Sequence, residues 1–375
     1  MTVNPLQKLP LLGGLSPAQF MRRHWQKKPC LIRQAVPGVV PPVTRPELLA
    51  LAARDDVESR LVQQAKGGWQ LRHGPFERRQ VPPFSRPGWT LLVQGLDLHV
   101  PAAHELLSQF RFVPEARLDD LMISYASDGG GVGPHTDSYD VFLLQVAGRR
   151  RWRVGPVKDT TLVDGVPVKL LANFQPTEEW VLEPGDMLYL PPRWGHDGIA
   201  VGNDCMTCSV GFRTPTPTET ARDVLQRMID ALEAPDQEPH YRDPAQSATD
   251  TPGLIPAALQ EFAQKAVISA LNDAHSLACA LGESLTEPKA IVWFEGGEPL
   301  QAGQGLCLDR RTRMMYDERH VFINGESFRA GGRDARLMRQ LADQRVLGAR
   351  EVAQLSAGAR ELVADWAEAG WLHGV

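Results

Sequence analysis

From Trp89 to Phe212 the chain is a succession of short apolar runs, most of them closed by glycine, proline or aspartate before a helix of ordinary length could complete. The runs are WTLLVQGLDLHV (89–100), LDDLMISYAS (118–127), DVFLLQVAG (140–148), RRWRVGP (150–156), EEWVLEPGDMLYLPP (178–192) and CMTCSVGF (205–212). They are rich in valine, leucine, isoleucine, tyrosine and tryptophan, the composition of strands. Strands so closely spaced pack as a sandwich or barrel. Helical pattern in this part lies at the front, in Ser16–Trp25 and Thr44–Arg54.

The pattern changes after Arg213. TPTPTE is a proline-broken linker, and beyond it Ala221, Val224, Leu225, Met228, Ile229 and Leu232 recur at the spacing of one helix face. A polar loop (Pro235 to Pro252) leads to a second helix expected from about Pro256 to Leu281. Two amphipathic helices must bury their faces against something; a second copy of the chain is the expected cover, making a homodimer. The last part offers short strands (LCLD, RMMY, HVFI, ESF) and helical patterns in Ala335–Ala342, Ala349–Leu355 and Ala359–Ala369, the material of a winged helix. The expected organisation is therefore an α+β chain of three parts: residues 1–213, catalytic; 214–285, helical and dimerising; 286–375, winged-helix-like.

Charge and cysteine usage narrow the setting. The formal net charge is -5, and residues 286–375 carry 12 Lys/Arg against 13 Asp/Glu. Direct nucleic-acid binding is not expected from such a balance. No apolar stretch approaches the roughly 20 residues of a membrane span. The five cysteines, odd in number and scattered, do not form a disulfide framework. With no recognisable export leader in the first residues, the expected location is the cytoplasm.

The segment GGGVGPHTDSYD (129–140) carries the chemistry. His135 and Asp137 are two apart, so in an extended segment both project from one face and can ligate one metal. His196, after the PGD turn and Pro191-Pro192, is the third candidate. Two imidazoles and a carboxylate form the facial triad that leaves positions on Fe(II) open for a cosubstrate and molecular oxygen. In the tract Gly148–Arg153, Arg150 shares a face with Trp152 and Val154, whereas Arg149, Arg151 and Arg153 share the other. If the apolar side points inward, Arg150 is carried inside, where a guanidinium needs an anion such as a carboxylate. The glycine run 129–133 reads as a flexible turn at the cavity rim, and Cys205 and Cys208 as buried structural residues. Asp128 and Asp140, flanking the metal segment, are candidates to hold a cationic substrate side chain.

LMISYASDGGGVGPHTDSYDVFLLQVAGRRRWRVG (121–155), PGDMLYLPPRWGH (184–196), SVGFR (209–213) and WQKKPCLIR (25–33) together resemble the Jumonji-C, cupin-type 2-oxoglutarate oxygenases, in particular the bacterial ribosomal oxygenases. The resemblance implies a double-stranded β-helix with Fe(II) on His135, Asp137 and His196. It places 2-oxoglutarate on Arg150, fifteen residues beyond His135, and on Ser124. It also implies 3-hydroxylation of an arginine of a large-subunit ribosomal protein, number sixteen, by oxidative decarboxylation of 2-oxoglutarate. Arg193 stands where glycine is usual, and Asp137 where metal-storing and isomerase cupins carry histidine. The competing reading is a cupin metal or metabolite sensor whose winged helix contacts DNA; an isomerase on the same barrel would leave Arg150 without a role.

Overall fold

The computed structural model describes residues 4–65, 68–232 and 240–375. It divides into two compact units, one running to Thr214 with the short segments Ala290–Phe294 and Asp309–Arg311, the other comprising Pro215–Lys289, Glu295–Leu308 and Thr312–Val375.

The first unit is built on nine strands: β1 (Cys30–Ile32), β2 (Ser59–Ala65), β3 (Gly68–His73), β4 (Trp89–Val93), β5 (Leu118–Ala126), β6 (Val141–Pro156), β7 (Glu178–Leu182), β8 (Met187–Leu190) and β9 (Trp194–Phe212). Their order is β1-β8-β6-β9-β5-β4-β2-β3, with β7 also on β6, and the pairings are antiparallel. This is the double-stranded β-helix, or jelly roll. Two expected strands, 140–148 and 150–156, are one long strand. The reason is Gly148, which at φ +61° sits in an irregularity of the β6–β9 pairing instead of ending the strand. The expected run 205–212 likewise extends back to Trp194. The run 89–100 stops at Val93, because Gly95 opens a short helix, Leu96–His99.

Alternation sorts the side chains. Leu121, Ile123 and Tyr125 of β5, Phe142 and Leu144 of β6, Met187 and Tyr189 of β8, and Met206, Cys208, Val210 and Phe212 of β9 join one large core. The front helix Pro17–Arg23 seals it, with Phe20 packed 5.4 Å from Phe142 and 5.0 Å from Tyr189. The opposite face of the same strands carries Asp120, Met122 and Ser124 on β5 and Thr207 and Ser209 on β9, by the period of two. Asp186 of the PGD turn ties the front strand to the turn before β8. Burial alone would raise its carboxyl, but the amides of Gln34 and Glu183 and the Arg33 guanidinium outweigh that and hold it below the usual range.

The second unit contains the helices Pro217–Asp230, Ala257–Leu271, Ala274–Thr286, Gly332–Gln344 and Ala357–Glu368, and two small sheets. In one, Met314–Tyr316, His320–Ile323 and Glu326–Arg329 form a meander; in the other, Leu306–Leu308 lies between Val346–Leu347 and Leu372–Gly374. Two expectations change here. The single helix expected over 256–281 is two, because Asp273 caps a new helix, its side chain accepting from the His275 amide. The middle helices also do not stand apart from the strands that follow, since Gly282 lets Ala274–Thr286 lie against the Phe322 ring, which any Cβ at 282 would strike. Consequently the apolar stripe of Pro217–Asp230 is split. Val224 and Met228 bury against Ala280 of the same chain, whereas Leu225 and Ile229 stay exposed. Among the described residues, no helix is long and apolar enough to cross a membrane.

Candidate active site

His135 lies in an arm that runs beside the first half of β9. Gly129 donates to the Ala200 carbonyl at 3.0 Å, the Ala200 amide donates to Gly130 at 2.9 Å, and His135 and His196 exchange backbone hydrogen bonds of 3.0 and 2.9 Å. The glycine run is therefore not the flexible rim turn that composition implies. A Cβ at Gly131 would lie 2.5 Å from the Gly198 carbonyl oxygen, so glycine is what lets the arm close on the strand. Thr90 Oγ1 donates to the Gly131 carbonyl at 3.4 Å, which sets the arm over the β4–β5 face that also carries Ser124.

The structure brings His135, Asp137 and His196 together, with one donor atom of each within 4.8 Å of the others. His196 Nε2 is 3.5 Å from Asp137 Oδ2, and His135 Nε2 is 4.0 Å from Asp137 Oδ1. These separations are long for hydrogen bonds and suit donors arranged around one ion. Each imidazole is oriented through its other nitrogen: His135 Nδ1 lies 2.8 Å from the Gly133 carbonyl and His196 Nδ1 3.1 Å from that of Trp194. With the proton on Nδ1, both Nε2 lone pairs face Asp137. Burial first, then the neighbouring His135, pushes His196 down to about 4 against the opposing pull of Asp137, so its ring is neutral at physiological pH. The donor set fits a divalent iron-type ion. Arg193 takes the left-handed conformation, φ +66°, and its amide donates to the Asp137 carbonyl at 2.8 Å. The turn that fixes Asp137 thus needs a backbone shape glycine adopts more easily, which accounts for glycine being usual there.

Arg150 is 4% exposed and belongs to the apolar side of β6, whereas Arg149 is exposed and Arg153 pairs with Asp197. Its Nη1 donates to the Gly198 carbonyl at 3.2 Å, and its Nε and Nη2 have no partner among the described residues. A buried guanidinium with two unanswered donor nitrogens is costly unless an anion completes it. Trp152 connects it to the metal-type cluster, its ring 5.8 Å from the Arg150 guanidinium and 5.9 Å from His196. Opposite Arg150 on β9 is Ala200, which clusters with Ala126 and Cys205. One step along the same face lies the row Leu92, Ser124 and Thr207, where Ser124 Oγ donates to the Thr207 carbonyl at 3.4 Å. Arg150 and Ser124 therefore address the same interior from facing strands.

The two carboxylates proposed for substrate are not brought to this site. Asp140 is 0% exposed and saturated: Tyr189 OH donates to it at 2.6 Å, Gln26 Nε2 at 3.0 Å, and Arg117 lies 3.6 Å away. It starts β6 on the core side. Asp128 is exposed, and its Oδ1 accepts from the Gly202 amide at 2.7 Å, six residues along β9 from His196. At ~3.3 Å per residue that is about 20 Å away. The residues that composition alone did not single out are Asp120 and Tyr139. Partial burial, then the carboxylates of Asp137 and Asp120, raise the Tyr139 phenol well above its ordinary value. Both were open to discovery by parity, since Tyr139 is two beyond Asp137 and Asp120 shares the face of Ser124. Cys205 and Cys208 are buried on β9.

Residues 105–220 match the JmjC domain and residues 269–373 the ROXA-like winged helix. The fold and the site thus define a JmjC-type oxygenase joined to a winged-helix module. The chain is 34% identical to ribosomal protein uL16 3-hydroxylase of Escherichia coli (strain K12) over 334 residues, 84% of this chain and 86% of that protein. It is 37% identical over 223 residues to a probable ribosomal oxygenase of Haemophilus influenzae, covering 58% of this chain and 52% of that one. The solved structure of YcfD, a ribosomal oxygenase from Escherichia coli, in complex with cobalt and 2-oxoglutarate superposes with a TM-score of 0.77 at 30% identity, covering 96% of this chain and 98% of that one. The chain belongs to the JmjC-domain ribosomal oxygenases.

The placement of Asp140 yields a prediction. Asp140→Asn should lower unfolding stability by about 1–3 kcal/mol, since it disturbs the acceptor of a buried hydrogen-bond set, while leaving 2-oxoglutarate affinity unchanged. Chemical denaturation and a binding titration measure the two. A variant of native stability that hydroxylates peptide poorly would return Asp140 to the substrate site.

Proposed function

We propose that this oxygenase is an Fe(II)- and 2-oxoglutarate-dependent hydroxylase acting on an arginine of a large-subunit ribosomal protein, with iron held by His135, Asp137 and His196. The observation that carries the reading is the pairing of an open three-donor cluster with the buried, incompletely satisfied guanidinium of Arg150 in one interior. Arg150 receives the distal carboxylate of 2-oxoglutarate as a charge-assisted pair, and Ser124 supplies a hydroxyl on the facing strand. When bound, iron with 2-oxoglutarate and molecular oxygen supplies the oxidising chemistry, in which the keto acid becomes succinate and carbon dioxide and the second oxygen atom enters a C–H bond. The chain's own contribution is position and dryness. Gly133 and Trp194 carbonyls fix the two imidazoles, Trp152 and Val154 form an apolar wall, and the arm 129–135 lies over the strand.

The substrate class follows from charge. With Asp128 and Asp140 excluded, the candidate carboxylate for an arginine side chain is Asp120, a buried group whose Oδ2 already accepts from the Gly95 amide at 3.1 Å and which acts on the Tyr139 phenol together with Asp137. A carboxylate can engage the planar fork of a guanidinium bidentately, whereas an ammonium pairs with it as a point charge, so a carboxylate at this place favours arginine over lysine. The uL16 3-hydroxylase named above acts on such a ribosomal protein, which supports the same class of partner here. The exposed apolar side chains of the second unit, Leu225, Ile229 and Phe262 among them, support a homodimer. The chain's five cysteines, odd in number and scattered, support a reducing cytoplasm. The division at 213 and 285 is proposed as a functional one, into catalytic, dimerising and winged-helix parts, although the latter two share one compact unit and the winged-helix match begins at 269.

His135→Ala or Asp137→Ala should abolish iron-dependent 2-oxoglutarate turnover with the fold retained. Arg150→Ala should raise the 2-oxoglutarate requirement steeply, truncation of a desolvated charge pair costing ~2–5 kcal/mol. Arg151→Ala, on the other face, should do much less; steady-state kinetics of equal severity for the two would overturn the cosubstrate assignment.

Replacing the target arginine of a ribosomal peptide by lysine should cut turnover sharply, and Asp120→Asn should weaken peptide hydroxylation more than 2-oxoglutarate binding. Mass spectrometry of the peptide reads both. If arginine-bearing ribosomal peptides stay unmodified, the substrate assignment fails while the oxygenase stands.

Sedimentation tests the dimer. The wild-type chain should sediment as a dimer at micromolar concentration, and the exposed pair Leu225→Glu with Ile229→Glu should give a folded monomer, whereas Met228→Glu should unfold the unit it packs into. A wild-type monomer rejects the dimer.

A further inference from the structure

The second unit carries a cluster that the oxygenase chemistry does not use. His275 and Cys279 are four residues apart on the helix Ala274–Thr286, so they share a face. His320 opens the strand His320–Ile323, against whose Phe322 the same helix lies. His275 Nδ1 is 3.1 Å from His320 Nε2 and 3.8 Å from Cys279 Sγ, and one donor atom of each of the three lies within 4.8 Å of the others. On the far side of the His320 ring, Nδ1 meets the Asp317 carboxylate at 3.0 Å.

We propose that His275, Cys279 and His320 bind a second metal ion, a borderline one such as Zn(II), which fastens the helix Ala274–Thr286 to the adjoining sheet. Around a tetrahedral zinc with Zn–N ~2.0–2.1 Å and Zn–S ~2.3 Å, two nitrogens stand about 3.3 Å apart and a nitrogen and a sulfur about 3.6 Å. The observed separations between His275 and its two partners are within a few tenths of an ångström of those values, and the Cys279–His320 separation, within 4.8 Å, closes by side-chain rotation when an ion binds. Asp317 gives His320 the outer carboxylate that metal-bound histidines carry. It holds the proton on Nδ1 and leaves the Nε2 lone pair directed at His275. An ordinary thiol carries its proton at neutral pH. Binding therefore replaces the S–H bond by an S–Zn bond and releases one proton to solvent. Three protein donors leave the fourth position to water. His275 is exposed and His320 is buried, which gives the ion a path from solvent to a partly enclosed seat. The thiolate sets the preference, since soft sulfur favours zinc over the harder ions that an oxygen-containing set accepts.

The test uses the full-length chain without an affinity tag, stripped by a chelator and titrated with Co(II) alone. A thiolate-to-cobalt charge-transfer band should grow in, a band that the nitrogen and oxygen donors of His135, Asp137 and His196 cannot give. Zn(II) should abolish it at a single equivalent, release a proton and raise the melting temperature. His135→Ala should keep the band, while Cys279→Ser should lose both the band and the zinc-induced rise. His275→Gln, at an exposed position, should do the same and covers the case in which Cys279→Ser misfolds. Absence of the band in the wild-type chain, or its persistence in both variants, overturns the site and leaves a hydrogen-bonded His275–His320–Asp317 chain in its place.

Discussion

The pairing of β6 with β9 is the interaction on which the first unit depends. These strands run together from Val141 opposite Gly211 to Pro156 opposite Trp194, and their register changes between Gln145 and Arg149. On the Val141 side they join β5 and β8 over the large aromatic core; on the Arg149 side they meet β7 and the arm that carries His135. Two register shifts within five residues let two continuous strands serve both walls of the jelly roll. Val154 sits opposite His196 and Arg150 opposite Ala200, so the spacing between the proposed metal donor and the proposed cosubstrate cation is set by strand pairing.

That rigidity explains how an uncompensated charge can be kept inside. Arg150 loses hydration on folding and recovers one protein hydrogen bond, to Gly198. The cost is borne by the surrounding pairings, and under the proposed function the unanswered donors are what would bind a dianionic cosubstrate. Asp140 represents the opposite solution. Its carboxylate is as deeply buried, but Tyr189, Gln26 and Arg117 answer it, so it contributes to the core and has nothing left for a ligand. Two buried charges in neighbouring segments differ in role because one is satisfied by the protein and the other is not.

What could be read in the sequence was short-range. The H-x-D pair, the inward parity of Arg150 and the strand character of the runs between 89 and 212 depend on residues within a few positions of one another, and a period of two suffices. What could not be read depends on contacts between distant segments. Asp128 and Asp140 flank the ligands in sequence, but Asp128 caps the amide of Gly202 and Asp140 accepts from Gln26, partners 74 and 114 residues away. Met228 looked interchangeable with Leu225 until Ala280, 52 positions on, took it inside. Gly131 was a loop residue by composition and a close-contact residue by structure, because the Gly198 carbonyl against it lies on another strand.

The two His-containing clusters extend this contrast to selectivity. Both have two imidazoles; the outer nitrogens of both lie on main-chain carbonyls in the first, and in the second that of His320 lies on Asp317. The third donor is an oxygen in one and a sulfur in the other. A cell offers both sites the same ions, and affinity alone would favour the tighter-binding metal at each. The carboxylate set tolerates several ions and depends on open coordination positions for its chemistry, whereas thiolate coordination favours zinc, which has no redox chemistry. A cysteine in the winged-helix unit would then draw zinc to a site where it stabilises structure, while the jelly roll keeps the donor set suited to iron. Two imidazole pairs would thus serve different ions, the difference lying in the third donor atom of each cluster.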